Sequence, residues 1–366
     1  MKKVIYTLFI IVISVSCGSH TASETNVGKK DILMSALSIE PIDVKINEGS
    51  YMGFSGMYND SLYFFDGYFN YCYTISIDGN VGTKKCGLGR GPGEIPVKYP
   101  LEAVYNESTK NLIALSGSND VFVLENMKSV KRVPYKMGDN AGTSYTSPNS
   151  YTLWPEIVAD CDNEYVYYNV QGNDDAVSIF RSDYYANAAI MLKVNYHSGD
   201  IAPFGRYSQY YAANSETLRH LPFTYFDVTD RGEVYVTHQA DSLIHCYDSN
   251  FGLIHSFGFG GLDMDTQYSN PGMSEEQFAN AHIYDMENKG YYYWVQHIND
   301  YTFRSYKKSS TALKDGLQIY KGTTLIGDVE VPQNFRVIGY VKPYFITKII
   351  CEESAEILKF YRFKLE

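Results

Sequence analysis

Six aromatic, strand-like stretches recur along the 366-residue chain, and this repetition constrains the fold more than any other feature. Residues 234–241 align with residues 293–300 at a shift of 59, and residues 166–173 take the same place 68 residues earlier. Each copy is an apolar strand that ends in a polar turn carrying Asp or Asn. Weaker copies complete a series with onsets at residues 62, 112, 166, 234, 293 and 344. This pattern is typical of a repeat architecture.

The spacing of the onsets, 50 to 68 residues, fits one β-propeller blade per repeat. Four strands of about 5–6 residues with short turns need about 40–50 residues, and longer spacings carry longer loops. A solenoid and two sandwiches are the alternatives. Radial repetition protects strand edges, however, and the spacing is too long for a β-helix. We predict an all-β, six-bladed β-propeller over residues 36–366, in which the repeats are equivalent inner strands around one axis.

The sequence also predicts a closing strand and one short helix. Ring closure needs an N-terminal strand in the last sheet, and residues 42–46 are the candidate for an outer strand beside residues 357–363. A short helix is expected over residues 274–281, with Ser274 as N-cap and Gln277 three residues later. The 35 Tyr and 19 Phe residues favour pleated, half-buried surfaces and therefore strands.

The N-terminus has the features of a secretory signal. Lys2 and Lys3 precede an apolar run over residues 4–13, and small residues lead to Cys17. The pattern resembles the bacterial lipobox, although Ser14 stands where Leu is usual. It predicts a signal peptide over residues 1–16, lipidation of Cys17 and a tether over residues 17–35. Secretion without a lipid is the alternative.

Charge and cysteine content exclude several function classes. The net charge is −11, and it becomes −13 once Lys2 and Lys3 leave with the signal, so no basic surface is available for nucleic acid. The other cysteines are too scattered for a disulfide framework or a zinc site, which indicates free thiols. A disulfide between the nearest pair is the alternative. These cysteines are Cys72, Cys86, Cys161, Cys246 and Cys351.

The signal with Cys17, the blade spacing and the Gly-rich segment 87–94 resemble the six-bladed β-propeller lipoproteins of the Bacteroides type, which are similar to NHL and TolB-like propellers. That resemblance implies the fold and an outer-membrane location, not a reaction. Surface export in such bacteria is thought to follow an acidic cluster after the lipidated cysteine. Residues 18–21 lack one. The side of the membrane therefore stays open.

The candidate ligand contacts lie in turns and loops. The Gly-rich segment has no phosphate-loop continuation, so we interpret it as a tight turn from which Arg90 and Glu94 project as ligand contacts. Trp154, Tyr207 and Tyr211, in long insertions, are the candidates for exposed aromatic contacts, and packing in the core is the alternative for each.

Two His-x-x-Asp units place His238 and His297 at equivalent strand ends in adjacent blades, facing the channel or the next sheet. No metal site is assigned, because ligation needs three or four converging groups and the sequence offers no such grouping. Asp160 and Asp162 resemble a fragment of a calcium loop, but the rest of the loop is missing, so a solvated turn is expected.

The sequence thus predicts an envelope lipoprotein that binds or scaffolds an unidentified peptide, glycan or protein partner, with no cofactor and no assigned catalytic residue. The rival hypothesis is a glycan-active lyase or hydrolase with its site at the mouth of the channel. A purely structural assembly part is the third possibility. Convergent ionisable groups with shifted pKa values at one end of the axis would favour the enzyme.

Overall fold

The structure is a computed structural model, and it describes residues 28–365 except 118, 137–143, 154–156, 174–176 and 273. The predicted signal peptide, Cys17 and Trp154 lie outside the described residues. Two N-terminal strands, β1 (Lys30–Met34) and β2 (Ile39–Val44), precede six small sheets. No helix among the described residues is long and apolar enough to cross a membrane.

The first three sheets form blades one to three. Blade one is β3 (Gly53–Tyr58), β4 (Ser61–Asp66) and β5 (Cys72–Ser76); blade two is β6 (Glu102–Asn106), β7 (Asn111–Ser116), β8 (Asp120–Glu125) and β9 (Ser129–Pro134). In blade three, β10 (Tyr151–Leu153) and β11 (Ala159–Cys161) both pair with β12 (Tyr165–Gly172), which continues into β13 (Met191–Asn195) and β14 (Ile201–Phe204).

The other three sheets complete the ring. Blade four is β15 (Thr224–Val228), β16 (Val234–His238), β17 (Ile244–Tyr247) and β18 (Leu253–Phe257); blade five is β19 (Tyr291–Ile298), β20 (Tyr301–Lys307), β21 (Asp315–Lys321) and β22 (Thr324–Val331). Blade six is β23 (Val337–Val341), β24 (Tyr344–Thr347) and β26 (Ile357–Phe363), with the short β25 (Ile350–Glu352) also paired to β26. The predicted all-β, six-bladed propeller is confirmed.

The strands around the axis are not the repeats identified in the sequence. Neighbouring contacts run from β3 through β6, β11, β15, β19 and β23 and back to β3, so these six are the inner strands. Five of the six sequence repeats instead correspond to the second strand of a blade, and only the copy at residue 293 lies in an inner strand, β19. The expectation that the repeats are equivalent inner strands is therefore wrong by one strand position.

The predicted closing strand is present. β2 pairs antiparallel with β26, with Ile42 opposite Phe360, so the N-terminal part of the chain completes the last blade. β1 pairs in parallel with β22 and adds an outer strand to blade five. Residues 30–34, predicted as tether, thus belong to the propeller.

Apolar side chains pack between adjacent blades rather than in one central core. Val44, Leu358 and Phe360 from blade six join Leu62 and Phe64 from blade one in a single cluster. Tyrosines fill many of these layers, because their rings pack while their hydroxyls find backbone acceptors. Tyr63, for example, is 2% exposed and donates to Ala103 O at 2.6 Å.

In the part of the chain that the structure describes, four α-helices lie in the loops: α1 (Tyr184–Asn187), α2 (Gln209–Ala213), α3 (Ser215–Leu218) and α4 (Glu275–Asn288). The predicted helix is confirmed as α4, with a capping box formed by Ser274 and Gln277, and it is longer than expected. The helical turns between β14 and β15 were missed, because pieces of four or five residues carry almost no periodicity.

Candidate functional site

The axial channel opens at one end of the propeller into a wide mouth, defined here as the cavity lined by the carboxyl ends of the six inner strands. Its volume is about 870 Å³, within the range of ligand pockets. A narrower space of about 150 Å³ continues inward and shares Tyr105, Asp160 and Gln296 with the mouth. The fold therefore brings residues that are far apart in sequence into one concave site.

The mouth is acidic. Six carboxyl side chains line it, compared with two basic ones, Arg231 and Lys321. The carboxyl groups belong to Glu107, Asp160, Asp227, Asp230, Glu233 and Asp300. Glu107, Asp230 and Asp300 are exposed, whereas Asp227 is only 3% exposed. A cleft lined by one sign of charge concentrates ligands of the opposite sign, so this mouth favours cations.

Two of these carboxyl groups meet where the mouth narrows. Asp160 on β11 and Asp227 on β15 share a side-chain hydrogen bond. Asp160 also accepts from Val228 N at 2.7 Å, and Asp227 accepts from His297 N at 2.8 Å. The pair thus joins the ends of β11, β15 and β19. The Gln296 amide is a further donor to Asp227.

Burial controls the protonation of this pair. It raises the pKa of Asp160 to about 6, although hydrogen bonds from the backbone of Val228 and Cys161 and from Asp227 act against it. Burial, with the repulsion of the Asp160 carboxylate, raises the pKa of Asp227 well above its ordinary value. Two like charges in contact do not readily both ionise, so the pair holds a proton to a higher pH than an isolated Asp does.

A buried ion pair lies deeper in the channel. Lys348 Nζ is 3.3 Å from Glu102 Oε2, and Glu102 is 5% exposed. Burial raises the pKa of Glu102, and the Lys348 ammonium acts in the opposite direction. Trp294 lines the same space and donates from Nε1 to Val337 O at 2.7 Å. Glu102 and Lys348 thus satisfy each other, and the Trp294 indole N–H has a backbone acceptor.

Of the predicted ligand contacts that the structure describes, only His297 lies in the mouth. Its ring stacks on Tyr235 with centroids 4.4 Å apart, and burial lowers its pKa. His238 is not its equivalent, because it ends the second strand of blade four at the opposite end of the propeller. Burial lowers the pKa of His238 to about 3, and the neighbouring His245 acts in the same direction.

The other predicted contacts are placed differently. Tyr207 and Tyr211 are 6% and 0% exposed, and their hydroxyls donate to Pro222 O and Leu221 O. They are therefore not exposed contacts, and the alternative of core packing applies, because they fill the core beneath the insertion between β14 and β15. Tyr210, between them, is 46% exposed.

The Gly-rich turn lies between blades one and two, away from the mouth. Arg90 is exposed, but the Glu94 carboxylate folds back and accepts from Gly91 N at 2.7 Å. Only Gly93 in this segment has a positive φ, 77°, which corrects the expectation of several such glycines. Neither Arg90 nor Glu94 lines the mouth or the channel. The five cysteines among the described residues are free thiols, so the alternative of a Cys72–Cys86 disulfide is not realised.

Sequence reasoning missed the carboxyl pair. Asp160 was expected in a solvated turn, but it lies in the inner strand β11 and faces the channel. A single carboxylate inside the apolar run of β15, at Asp227, is the one local feature that marks the site.

Six sheets around one axis, closed by an N-terminal strand, define the chain as a six-bladed β-propeller. A crystal structure of a DUF4221 family member from Bacteroides vulgatus is similar, with a TM-score of 0.65 and 9% identity over 92% of this chain and 99% of that chain. A Bacteroides fragilis protein named only as a "putative exported protein" gives a TM-score of 0.51 and 14% identity over 93% and 100%. At these identities the likeness shows the shared fold. No family profile and no curated sequence matches the chain.

Proposed function

We propose that the chain is an exported binding propeller whose acidic mouth takes a cationic group, such as a Lys or Arg side chain of a peptide or protein partner. The observation that carries this proposal is the excess of carboxyl groups in a pocket of about 870 Å³ at one end of the axis. The ring of Tyr340, which is 38% exposed, also lines it. Aromatic faces of this kind attract ammonium and guanidinium groups.

The cellular location belongs to the same proposal. The N-terminal sequence supports export and lipidation of Cys17, and the Bacteroides fragilis protein of similar fold carries a name that marks it as exported. An acidic propeller gains nothing from anionic lipid surfaces, so the lipid would be its means of attachment to the outer membrane.

Binding to basic peptides tests the proposal. We expect the full-length chain to retain Lys- and Arg-containing peptides at low salt and to release them as salt screens the charges. The triple variant Asp230→Asn/Glu233→Gln/Asp300→Asn should bind about fivefold more weakly for each carboxylate that contacts the peptide, since such a contact contributes roughly 1 kcal/mol in water. Isothermal titration calorimetry measures the difference.

A matched control removes the same charge elsewhere. Glu216, Glu276 and Glu287 are exposed carboxylates on or beside helices and do not line the mouth. The variant Glu216→Gln/Glu276→Gln/Glu287→Gln should therefore bind as the unchanged chain does. Equal weakening of both triple variants would mean that only net charge matters, and the mouth would lose its assigned role.

The glycan-active enzyme is the second candidate, and one observation favours it. Asp160 lines both mouth and channel, and its pKa of about 6 suits a general acid or base. Two-carboxylate glycoside hydrolysis, however, needs the groups about 5 Å or more apart, and Asp160 and Asp227 are hydrogen-bonded to each other. Release of sugar products by the unchanged chain but not by Asp160→Asn would support this candidate.

A further inference from the structure

Two histidines and an aspartate converge in blade four, at the end of the propeller away from the mouth. His238, the last residue of β16, pairs with Thr224 at the start of β15, whereas Asp227 lies near the end of β15 that borders the mouth. One nitrogen of His238, one nitrogen of His245 and one oxygen of Asp241 all lie within 4.8 Å of one another, and all three residues are buried. This group is separate from the proposed ligand site.

The donor atoms surround one carboxylate oxygen. Asp241 Oδ2 is 2.9 Å from His245 Nε2 and 2.8 Å from Ser208 Oγ. A first-row transition-metal dication takes N and O ligands at about 2.0–2.2 Å, which places neighbouring ligand atoms roughly 3–3.5 Å apart. Small movements of these side chains would therefore admit such an ion.

Neighbouring hydrogen bonds hold the group in position. His245 Nδ1 is 2.8 Å from Ser256 Oγ, which directs Nε2 of the same ring towards Asp241. The other Asp241 oxygen accepts from Leu243 N at 2.9 Å. Metal-binding histidines and carboxylates are commonly oriented in this way by a second layer of partners.

His238 lacks the hydrogen bonds expected of a purely structural histidine. It is 0% exposed, its Nδ1 has no hydrogen-bond partner, and its Nε2 has one long contact, 3.3 Å from Ser208 N. Its ring packs against Tyr211 with centroids 4.9 Å apart, which keeps solvent away. A buried polar group with so few partners costs free energy, and a bond to a metal ion would offset that cost.

We propose that His238, Asp241 and His245 bind one divalent transition-metal ion, with the Ser208 hydroxyl as the fourth ligand. The ion takes the place of the proton between His245 Nε2 and Asp241 Oδ2. In a neutral imidazole that proton moves to Nδ1, which then donates to Ser256 Oγ. Two imidazole ligands favour Zn²⁺ and its neighbours over Mg²⁺ or Ca²⁺. Because Ser208 is the N-cap of α2, the ion would fasten the insertion between β14 and β15 to blade four.

Metal titration of the full-length chain tests this site. After treatment with a chelator, we expect one Zn²⁺ to bind per chain and to raise the melting temperature, whereas Mg²⁺ should not. Co²⁺ should give the visible absorption bands of a four-coordinate N/O site. The proposal is overturned if Zn²⁺ does not raise the melting temperature and Co²⁺ gives no absorption bands.

Variants locate the ion. His238→Gln and His245→Gln should abolish the Co²⁺ bands, and His255→Gln is the matched control because His255 lies in the same blade on β18, outside the group. Ser256→Ala keeps all four ligands and should weaken Zn²⁺ binding about tenfold or more, so it remains informative if the histidine variants do not fold. Loss of the bands in His255→Gln, or unchanged affinity in Ser256→Ala, would contradict the assignment.

Discussion

At the residue scale, the carboxyl pair of Asp160 and Asp227 links the stability of the propeller to pH. A carboxyl whose pKa is raised in the folded state stabilises the fold when protonated, and this contribution falls as pH rises from its unfolded value to its folded value. For Asp160 that window runs from the ordinary value of 3.8 to about 6. The hydrogen bonds that Asp160 accepts from Val228 N and Asp227 accepts from His297 N persist in either protonation state. Backbone N–H groups donate to both the charged and the neutral form of a carboxyl.

The first prediction concerns Asp227→Asn. An amide cannot ionise, and it keeps the contact with His297 N while the Gln296 side chain turns over to accept from it. We therefore expect the variant to gain stability relative to the unchanged chain as pH rises above the ordinary range of an Asp carboxyl, because only the unchanged chain must then ionise this buried group. Urea unfolding at several pH values measures the difference.

Asp230→Asn is the control for this experiment, since Asp230 is an exposed carboxylate of the same mouth. Its stability should follow the pH profile of the unchanged chain. If the stability of Asp227→Asn varies with pH in the same way as that of Asp230→Asn and of the unchanged chain, the pair carries no unusual proton affinity.

The residues of the site show what sequence reasoning can and cannot provide. His297 was identified from its His-x-x-Asp unit, yet Tyr207 and Tyr211, the candidates for exposed contacts, are buried. Tyrosine suits both environments because its ring packs and its hydroxyl needs one acceptor. Asp160 and Asp227 meet only after β11 and β15 become neighbours in the ring, and nothing in either local sequence encodes that contact.

At the element scale, the same strand pattern arises in two different positions of a blade. Second strands such as β16 are covered on both faces by neighbouring blades, so they form continuous apolar runs. The inner strand β19 is also buried from Tyr291 to Val295, because it packs against both β15 and β16. The alignment of residues 234–241 with 293–300 therefore matched strands of equal burial but different position.

Closure of the ring depends on strand β2, which completes the last blade. Val44 in β2 is 2% exposed and packs between blades six and one, whereas the next residue, Lys45, is exposed. We expect Val44→Asp to lower the free energy of unfolding by more than about 3 kcal/mol, since it buries an unpaired charge. Lys45→Asp introduces the same side chain one position later and should change stability little. Equal urea midpoints for the two variants would contradict closure through β2.

At the scale of the whole molecule, the chain enters the propeller at the same end as the mouth. β1 runs parallel to β22. Leu325 N donates to Lys29 O just after the hairpin of Lys321 and Gly322, and that hairpin lines the mouth. The eleven residues from Cys17 to Val27 span at most about 40 Å when fully extended. If Cys17 carries the lipid, as proposed above, we expect the mouth end of the propeller to be the end nearer the membrane.

The last prediction tests that anchor. Cys17→Ser should move the protein from the membrane fraction to the soluble fraction of the envelope, because a lipidated cysteine with more than one acyl chain suffices for stable attachment. Cys86→Ser changes a propeller cysteine and should leave the protein in the membrane fraction. High salt should not release the unchanged chain, since its net charge of −11 gives it no electrostatic affinity for anionic lipid. Membrane retention of Cys17→Ser would show that another part of the molecule holds it there, and the orientation of the mouth would then have to be decided from that contact.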